Sequence, residues 1–348
     1  MIQILFSFLL FVVPLVADED PIQQKIRAHM EEFKIPGMAA VIVKDGKAEI
    51  YSFGWADRER RIAVTPRTIF NLASVTKVFV TTAIACEVLD GRMKLDQSAA
   101  TFIPGLEQGP LESFGQVRLQ DLATHTASLP RDPPIRMEHG KYPRSEIIRY
   151  LRDWQAPYPI GSKYVYSNMS FGILGMALQG LEREPMDTVF RRLIFAPLAM
   201  SETELVVSRE LSDERAIGYL KSGERSPHFQ PIFWPGGGSL NSSASDMAKF
   251  LLANMGLQGP PKLLEAMQLA HKSLFKVNDH LSLGLAWQNF ENKGLYVLDK
   301  DGGVAAYSSY IGFTVDNKFG IVLLCNKGKA KIPPLGRQLL FDLSISAR

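Results

Sequence analysis

Asn71-Leu-Ala-Ser-Val-Thr-Lys77, continuing as Val78-Phe-Val-Thr-Thr-Ala-Ile-Ala-Cys-Glu-Val88, sets a serine and a lysine three residues apart at the head of an apolar helical run. A serine in the first turn of a helix lies beside unpaired backbone N–H groups, and a lysine three residues on shares its face. That pairing suits an activated nucleophile; the bland reading is a serine N-cap followed by a solvated lysine. Spelling alone does not decide, since Lys is about one residue in twenty and a chain of this length matches Ser-x-x-Lys about once by chance. Ser273-Leu-Phe-Lys276 matches too, but within a polar connector.

Working outward, the 348 residues are 46% hydrophobic, enough for a large core in one or two domains. Basic and acidic side chains nearly balance, 39 against 36, without long runs of either sign, which argues against a nucleic-acid partner. Cys86 and Cys325 lie far apart in apolar stretches and read as buried free thiols. Residues 1–17, Met-Ile-Gln-Ile-Leu-Phe-Ser-Phe-Leu-Leu-Phe-Val-Val-Pro-Leu-Val-Ala, read as a signal peptide, implying export and a periplasmic location. The stretch has no Lys or Arg, and Leu15 stands where a small residue is preferred. A retained N-terminal anchor with weak membrane association is the alternative.

Residues 38–54 read as a hairpin turning at Asp45-Gly46. Further strands are expected at Leu295–Leu298, Tyr307–Val315 and Gly320–Cys325, and a closing helix from Pro334. Helical periodicity marks Ser145–Trp154, Ser170–Arg183 and Ser245–Met255. Strands at both ends that must meet in one sheet imply an α/β domain, residues 18–80 plus 290–348. Residues 81–289 would then form a mostly helical inserted domain, with the site in the cleft between the two.

Two other polar motifs fall near element ends. Tyr166-Ser-Asn168 precedes an amphipathic stretch; a phenol held near an ammonium loses its proton more easily and can serve as a base. A tyrosine packed under a helix with an asparagine cap is the competing reading. Lys300-Asp-Gly-Gly303 ends one strand, where glycines let a substrate backbone approach the edge and the lysine fixes a positive charge. Lys44-Asp45-Gly46 has the same spelling at a hairpin tip.

In order, Ser-x-x-Lys, Tyr-x-Asn about ninety residues later and Lys-x-Gly on a late strand resemble the serine β-lactamase and penicillin-binding-protein superfamily, especially its class C β-lactamase and D,D-carboxypeptidase/endopeptidase branch. Asp121-Leu-Ala-Thr-His-Thr-Ala-Ser-Leu-Pro130, Phe195-Ala-Pro-Leu-Ala-Met-Ser-Glu-Thr203 and Pro235-Gly-Gly-Gly-Ser-Leu-Asn-Ser-Ser-Ala-Ser-Asp-Met247 extend the likeness. It implies a β-lactamase/transpeptidase-like α/β (α+β) fold: an antiparallel sheet flanked by helices, with a helical insertion. It also implies a serine hydrolase of β-lactamase or D,D-peptidase type, acting on β-lactams or D-Ala-D-Ala peptidoglycan peptides without cofactor or metal.

Ser74 would be the acylated nucleophile, and Lys77 and Tyr166 would share the proton transfers. Asn168 would hydrogen-bond Lys77 and the substrate amide, and Lys300 would favour a phenolate at Tyr166. The N–H groups of Ser74 and Gly303 would form the oxyanion hole, with Gly302 beside them. Asp301 departs from the family's usual Thr or Ser between Lys and Gly. Its charge opposes a substrate carboxylate unless it pairs with a cation, turns away, or meets a substrate with an amine or no charge there. A carboxylesterase-like member acting on small esters, and a non-catalytic scaffold of the same fold, are the alternatives. His125 reads as a structural hydrogen-bonding residue. Trp234 and Tyr307 read as cleft-lining or core aromatics.

Overall fold

The computed structural model describes residues 20–106, 111–138, 141–226, 235–292 and 294–346. The expected signal peptide, residues 1–17, and Trp234 lie outside the described residues.

The chain starts with α1 (Pro21–Glu32), where Asp20 accepts a hydrogen bond from the Ile22 N–H and Pro21 occupies the first turn. It then forms β1 (Gly37–Lys44) and β2 (Lys47–Asp57), joined by the expected two-residue turn with Asp45 at φ 52° and Gly46 at φ 72°. β3 (Ile62–Ala63) and β4 (Phe70–Asn71) follow, then α2 (Thr76–Leu89), α3 (Leu119–Ala123), α4 (Arg144–Asp153), α5 (Asn168–Glu182), α6 (Met186–Phe190) and α7 (Pro235–Gly238). Next come β5 (Asn241–Ser242), α8 (Ala244–Asn254) and α9 (Pro261–His271). Four strands, β6 (Phe275–Asn278), β7 (Leu281–Leu283), β8 (Gln288–Asn292) and β9 (Leu295–Gly303), lead to β10 (Ser308–Thr314), β11 (Phe319–Cys325) and the closing α10 (Ile332–Ser346).

Nine strands form one antiparallel sheet in the order β3-β2-β1-β11-β10-β9-β8-β7-β6, and β4 pairs with β5 in a separate two-stranded ladder. Alternation along the central strands divides the core in two. Ala39, Val41, Val43, Val322 and Leu324 face the helical layer containing α2, α5, α8 and α9. Met38, Ala40, Ile42, Ile321, Leu323 and Cys325 face α1 and α10. Burial on both faces explains why β1, β10 and β11 read as nearly continuous apolar runs. Cys86 and Cys325 are both buried and free, on opposite sides of this sheet.

The sequence boundary that gave residues 81–289 to a helical insertion is corrected by the sheet. β6, β7 and the start of β8 fall inside that range yet extend the sheet, and α8 packs on β1, β2 and β11. The physical reason is solvent exposure at this outer end of the sheet. Phe275-Lys-Val-Asn278 alternates between half-buried and exposed positions, and Gln288–Asn292 carries mostly polar residues, so neither offers an apolar run.

Candidate active site

Every residue from Thr68 to Glu87 is buried except Ser74, which is partly open to solvent. The chain enters through Ala73, held at φ 45°, in the left-handed region that alanine adopts at a cost of roughly 1–2 kcal/mol. Neighbours fix this turn. The Ala73 N–H donates to Asn71 Oδ1 at 3.0 Å, the Leu72 N–H to the Leu240 carbonyl at 2.8 Å, and Ser309 Oγ to the Leu72 carbonyl at 2.7 Å. Ser74 then sits in a 3₁₀ turn, Ala73–Val75, that runs directly into α2. The N-cap reading fails here, because α2 begins at Thr76 and the Ser74 hydroxyl is engaged elsewhere.

Lys77 Nζ donates to Ser74 Oγ at 3.0 Å, to Asn168 Oδ1 at 3.1 Å and to the carbonyl of Gly237, so all three of its protons are committed. α2 is apolar around its whole circumference and lies in the core, which leaves Lys77 fully buried. Burial first, and the nearby charge of Lys300, bring its pKa down to about 8 against the opposing effect of Tyr166.

Tyr166 Oη donates to Ser74 Oγ at 2.7 Å. Burial alone would push this phenol up. The positive charges of Lys300 and Lys77, with the hydrogen bond to Ser74, outweigh burial and hold it below the usual tyrosine value. Both lysine ammonium groups lie against its ring, Lys77 Nζ 5.2 Å and Lys300 Nζ 5.3 Å from the centroid, with the Arg131 guanidinium at 5.4 Å. Lys300 is only 2% exposed.

The asparagine-cap reading also fails. Ser167 caps α5, its Oγ accepting from the Ser170 N–H at 3.0 Å, so Asn168 is left free to reach Lys77. His125 is buried, and its Nδ1 accepts the Ser167 N–H at 3.1 Å. Burial and the two site lysines hold its pKa well below the ordinary histidine value, so it is a neutral ring packed 4.4 Å from that of Tyr166. It positions the Tyr166 segment and is not poised to exchange protons.

β9 closes the site. It pairs with β10 through Gly303, but β8 accompanies it only as far as Asp299, leaving Lys300–Gly303 with one edge unpaired by any strand among the described residues. The two glycines differ. A Cβ at Gly302 would stand 2.4 Å from the Leu72 carbonyl oxygen, 2.4 Å from Ser309 Oγ and 2.9 Å from the Ser74 nitrogen. One at Gly303 would meet nothing within 4 Å. Gly302 is therefore where the strand presses against the Ser74 turn, and Gly303 faces open space. Gly302→Ala is expected to displace that turn, lowering stability by about 1–3 kcal/mol and Ser74-dependent turnover by about a hundredfold or more; thermal melts and ester kinetics check both.

Asp301 is partly exposed and its carboxylate forms no hydrogen bond or ion pair among the described residues, so pairing with Lys300 is not what accommodates it. By strand alternation its side chain shares a face with Asp299, whose carboxylate is bound by Arg337 and Tyr310 on the α10 side.

The lookalike motifs stay outside the site. Lys276 is exposed and paired with Asp279 at 2.7 Å, and Lys44-Asp45-Gly46 is a hairpin tip. Tyr307 is a core residue, 5% exposed, with its hydroxyl donating to the Ala216 carbonyl. Sequence reasoning missed three contributors. The Gly237 carbonyl is backbone and has no residue signature, while Arg131 and Asp132 follow the Thr-His-Thr stretch in a loop without a motif of their own. The Arg131 carbonyl accepts the N–H groups of Asn168 and Met169, and Asp132 Oδ1 accepts from Asn168 Nδ2 at 3.2 Å. No cluster of three His, Cys, Asp or Glu side chains among the described residues could hold a metal ion.

A serine bonded to both a buried lysine and a tyrosine, beside an open strand edge, is the arrangement of a serine acyl-transfer site. The chain belongs to the Beta-lactamase family, whose sequence profile matches residues 22–342. It is similar to a beta-lactamase from Psychrobacter immobilis, 28% identical over 274 residues, which is 78% of this chain and 66% of that protein. Against a beta-lactamase from Lysobacter lactamgenus it is 24% identical over 354 residues, covering 92% of this chain and 89% of the other. Among solved structures it resembles a class C beta-lactamase with a TM-score of 0.83 at 24% identity, covering 94% of this chain and 97% of that one. A D-alanine carboxypeptidase from Burkholderia cenocepacia matches with a TM-score of 0.80 at 24% identity, over 92% and 97% of the two chains. These structural likenesses establish a β-lactamase/transpeptidase fold.

Proposed function

We propose that this protein is a serine hydrolase that forms an acyl-enzyme at Ser74 with β-lactams or D-Ala-D-Ala-type peptidoglycan peptides. The observation that carries the reading is Ser74 itself, the one solvent-reaching residue of a buried segment, with its Oγ accepting from both Lys77 and Tyr166.

In this scheme the Ser74 hydroxyl proton passes to the Lys77–Tyr166 pair as Oγ bonds to the acyl carbon. The pair titrates jointly, so the proton belongs to neither residue alone. It then reaches the departing nitrogen or oxygen as the scissile bond breaks, and water, deprotonated by the same pair, releases the acyl group. The N–H groups of Ser74 and Gly303 stabilise the charge that develops on the carbonyl oxygen. Asn168 steadies Lys77 and offers its amide to the substrate. Export to the periplasm, carried by residues 1–17, belongs to the same reading and would bring the enzyme to peptidoglycan.

Asp301 favours a second reading, a carboxylesterase acting on small neutral esters. Asp301 leaves β9 on the face opposite Lys300 but along its unpaired stretch, so a substrate carboxylate laid on that edge would meet its charge through partly solvated space, at a cost of about 1 kcal/mol or a little more. Asp301→Thr is accordingly expected to speed acylation by penicillins or D-Ala-D-Ala peptides about tenfold while leaving neutral ester hydrolysis without a matching gain. Equal change on both substrate types, measured as kcat/KM, sinks the repulsion argument.

A further inference from the structure

Asn168 lies between two charges that dictate its orientation. The Lys77 ammonium can only donate and so takes Oδ1, at 3.1 Å; the Asp132 carboxylate can only accept and so takes Nδ2, at 3.2 Å. Asp132 is held in place by its loop, since the neighbouring Arg131 carbonyl receives the first two N–H groups of α5, those of Asn168 and Met169, at 2.8 and 3.1 Å. Its side chain remains 41% exposed. The second oxygen stands 3.8 Å from the Arg131 Nε, beyond hydrogen-bonding distance, and that guanidinium lies over the Tyr166 ring.

The two lysine charges of the site are turned inward, while Arg131, 69% exposed, lies over the Tyr166 ring with its Nε 3.8 Å from the second Asp132 oxygen and offsets part of that carboxylate's charge. Lys77 has spent its three protons, and Lys300 is buried against Tyr166. The carboxylate fixed one amide away from Lys77 therefore has an oxygen to spare beside the point where Asn168 meets a substrate.

We propose that Asp132 is a specificity-determining residue that selects acyl donors carrying an ammonium group a few bonds from the scissile carbonyl, and that disfavours those carrying a carboxylate there. This rests on the serine-hydrolase reading and deepens it by naming the substrate class. An ammonium placed on Asp132 forms a charge-assisted hydrogen bond in a site shielded on one side by protein, where such bonds are stronger than at an open surface.

The test compares three esters of matched shape: β-alanine ethyl ester, with an ammonium; ethyl butanoate, with a methyl group in its place; and monoethyl succinate, with a carboxylate. The intact protein is assayed at near-neutral pH beside Asp132→Asn, which keeps an acceptor for Asn168 and removes the charge, and beside Ser74→Ala. The expected result is a kcat/KM order of ammonium, neutral, carboxylate, with the ammonium-to-neutral ratio falling about tenfold in Asp132→Asn and the carboxylate ester gaining on the neutral one. A ratio unchanged by Asp132→Asn, or a native preference for the carboxylate ester, overturns the proposal while leaving a Ser74 hydrolase in place. Absence of Ser74-dependent hydrolysis of all three overturns the hydrolase reading, and this proposal falls with it.

Discussion

Replacing Ser74 by alanine is expected to lower turnover of every ester, β-lactam or peptide substrate by about 10⁴-fold or more, about 5 kcal/mol in activation free energy. The size follows from chemistry. Lys77 and Tyr166 converge on Ser74 Oγ at 3.0 and 2.7 Å, and among the described residues no other hydroxyl is bonded to both. Stability should change little, since Ser74 is partly exposed and Lys77 keeps two of its three acceptors. A melting temperature within a few degrees of the parent, together with the collapse in rate, is the expected pair of results. Activity within tenfold of the parent would mean that a different nucleophile operates.

Removing the charge of Lys300 is the second large effect. Lys300→Met retains a chain of similar length in a site that is 2% exposed, so the fold should survive. The electrostatics should not. Lys300 lowers both the phenol of Tyr166 and the ammonium of Lys77, the latter now near 8. Without it both groups release their protons at higher pH, so the basic form of the pair is scarcer near neutrality. The expected outcome is a fall in kcat/KM of about a hundredfold at pH 7, with the rising limb of the pH profile displaced to the alkaline side and part of the lost rate recovered there. A uniform loss at every pH would reduce Lys300 to a packing role.

How far these residues were legible depends on what kind of signal each carries. Ser74, Lys77, Tyr166 and Lys300 stand at element starts or on a strand, and the sheet and helix layers bring them around one point, as their order along the chain suggested. The hairpin at Asp45-Gly46 and the strands β10 and β11 were readable because their turns and apolar runs are local. α1 has little signal in the sequence: it buries only Ile22 and Ile26, although Asp20 caps it. β6 to β8 were hidden by exposure, since these strands at the outer end of the sheet are half-solvated and carry no continuous apolar run. The Gly237 carbonyl and Asp132 are invisible to residue patterns for different reasons. One is backbone, and the other gains its meaning only from lying 3.2 Å from Asn168.

The most direct measurement is intact-mass spectrometry of the purified protein, quenched after exposure to a penicillin and, separately, to an activated neutral ester, with Ser74→Ala alongside. The account predicts an added mass equal to the acyl group from at least one reagent, located on Ser74 and absent from the variant. An adduct from the ester alone would assign the slower penicillin reaction to Asp301. No adduct from either reagent together with no Ser74-dependent hydrolysis, or an adduct that persists in Ser74→Ala, would contradict the acyl-enzyme at Ser74.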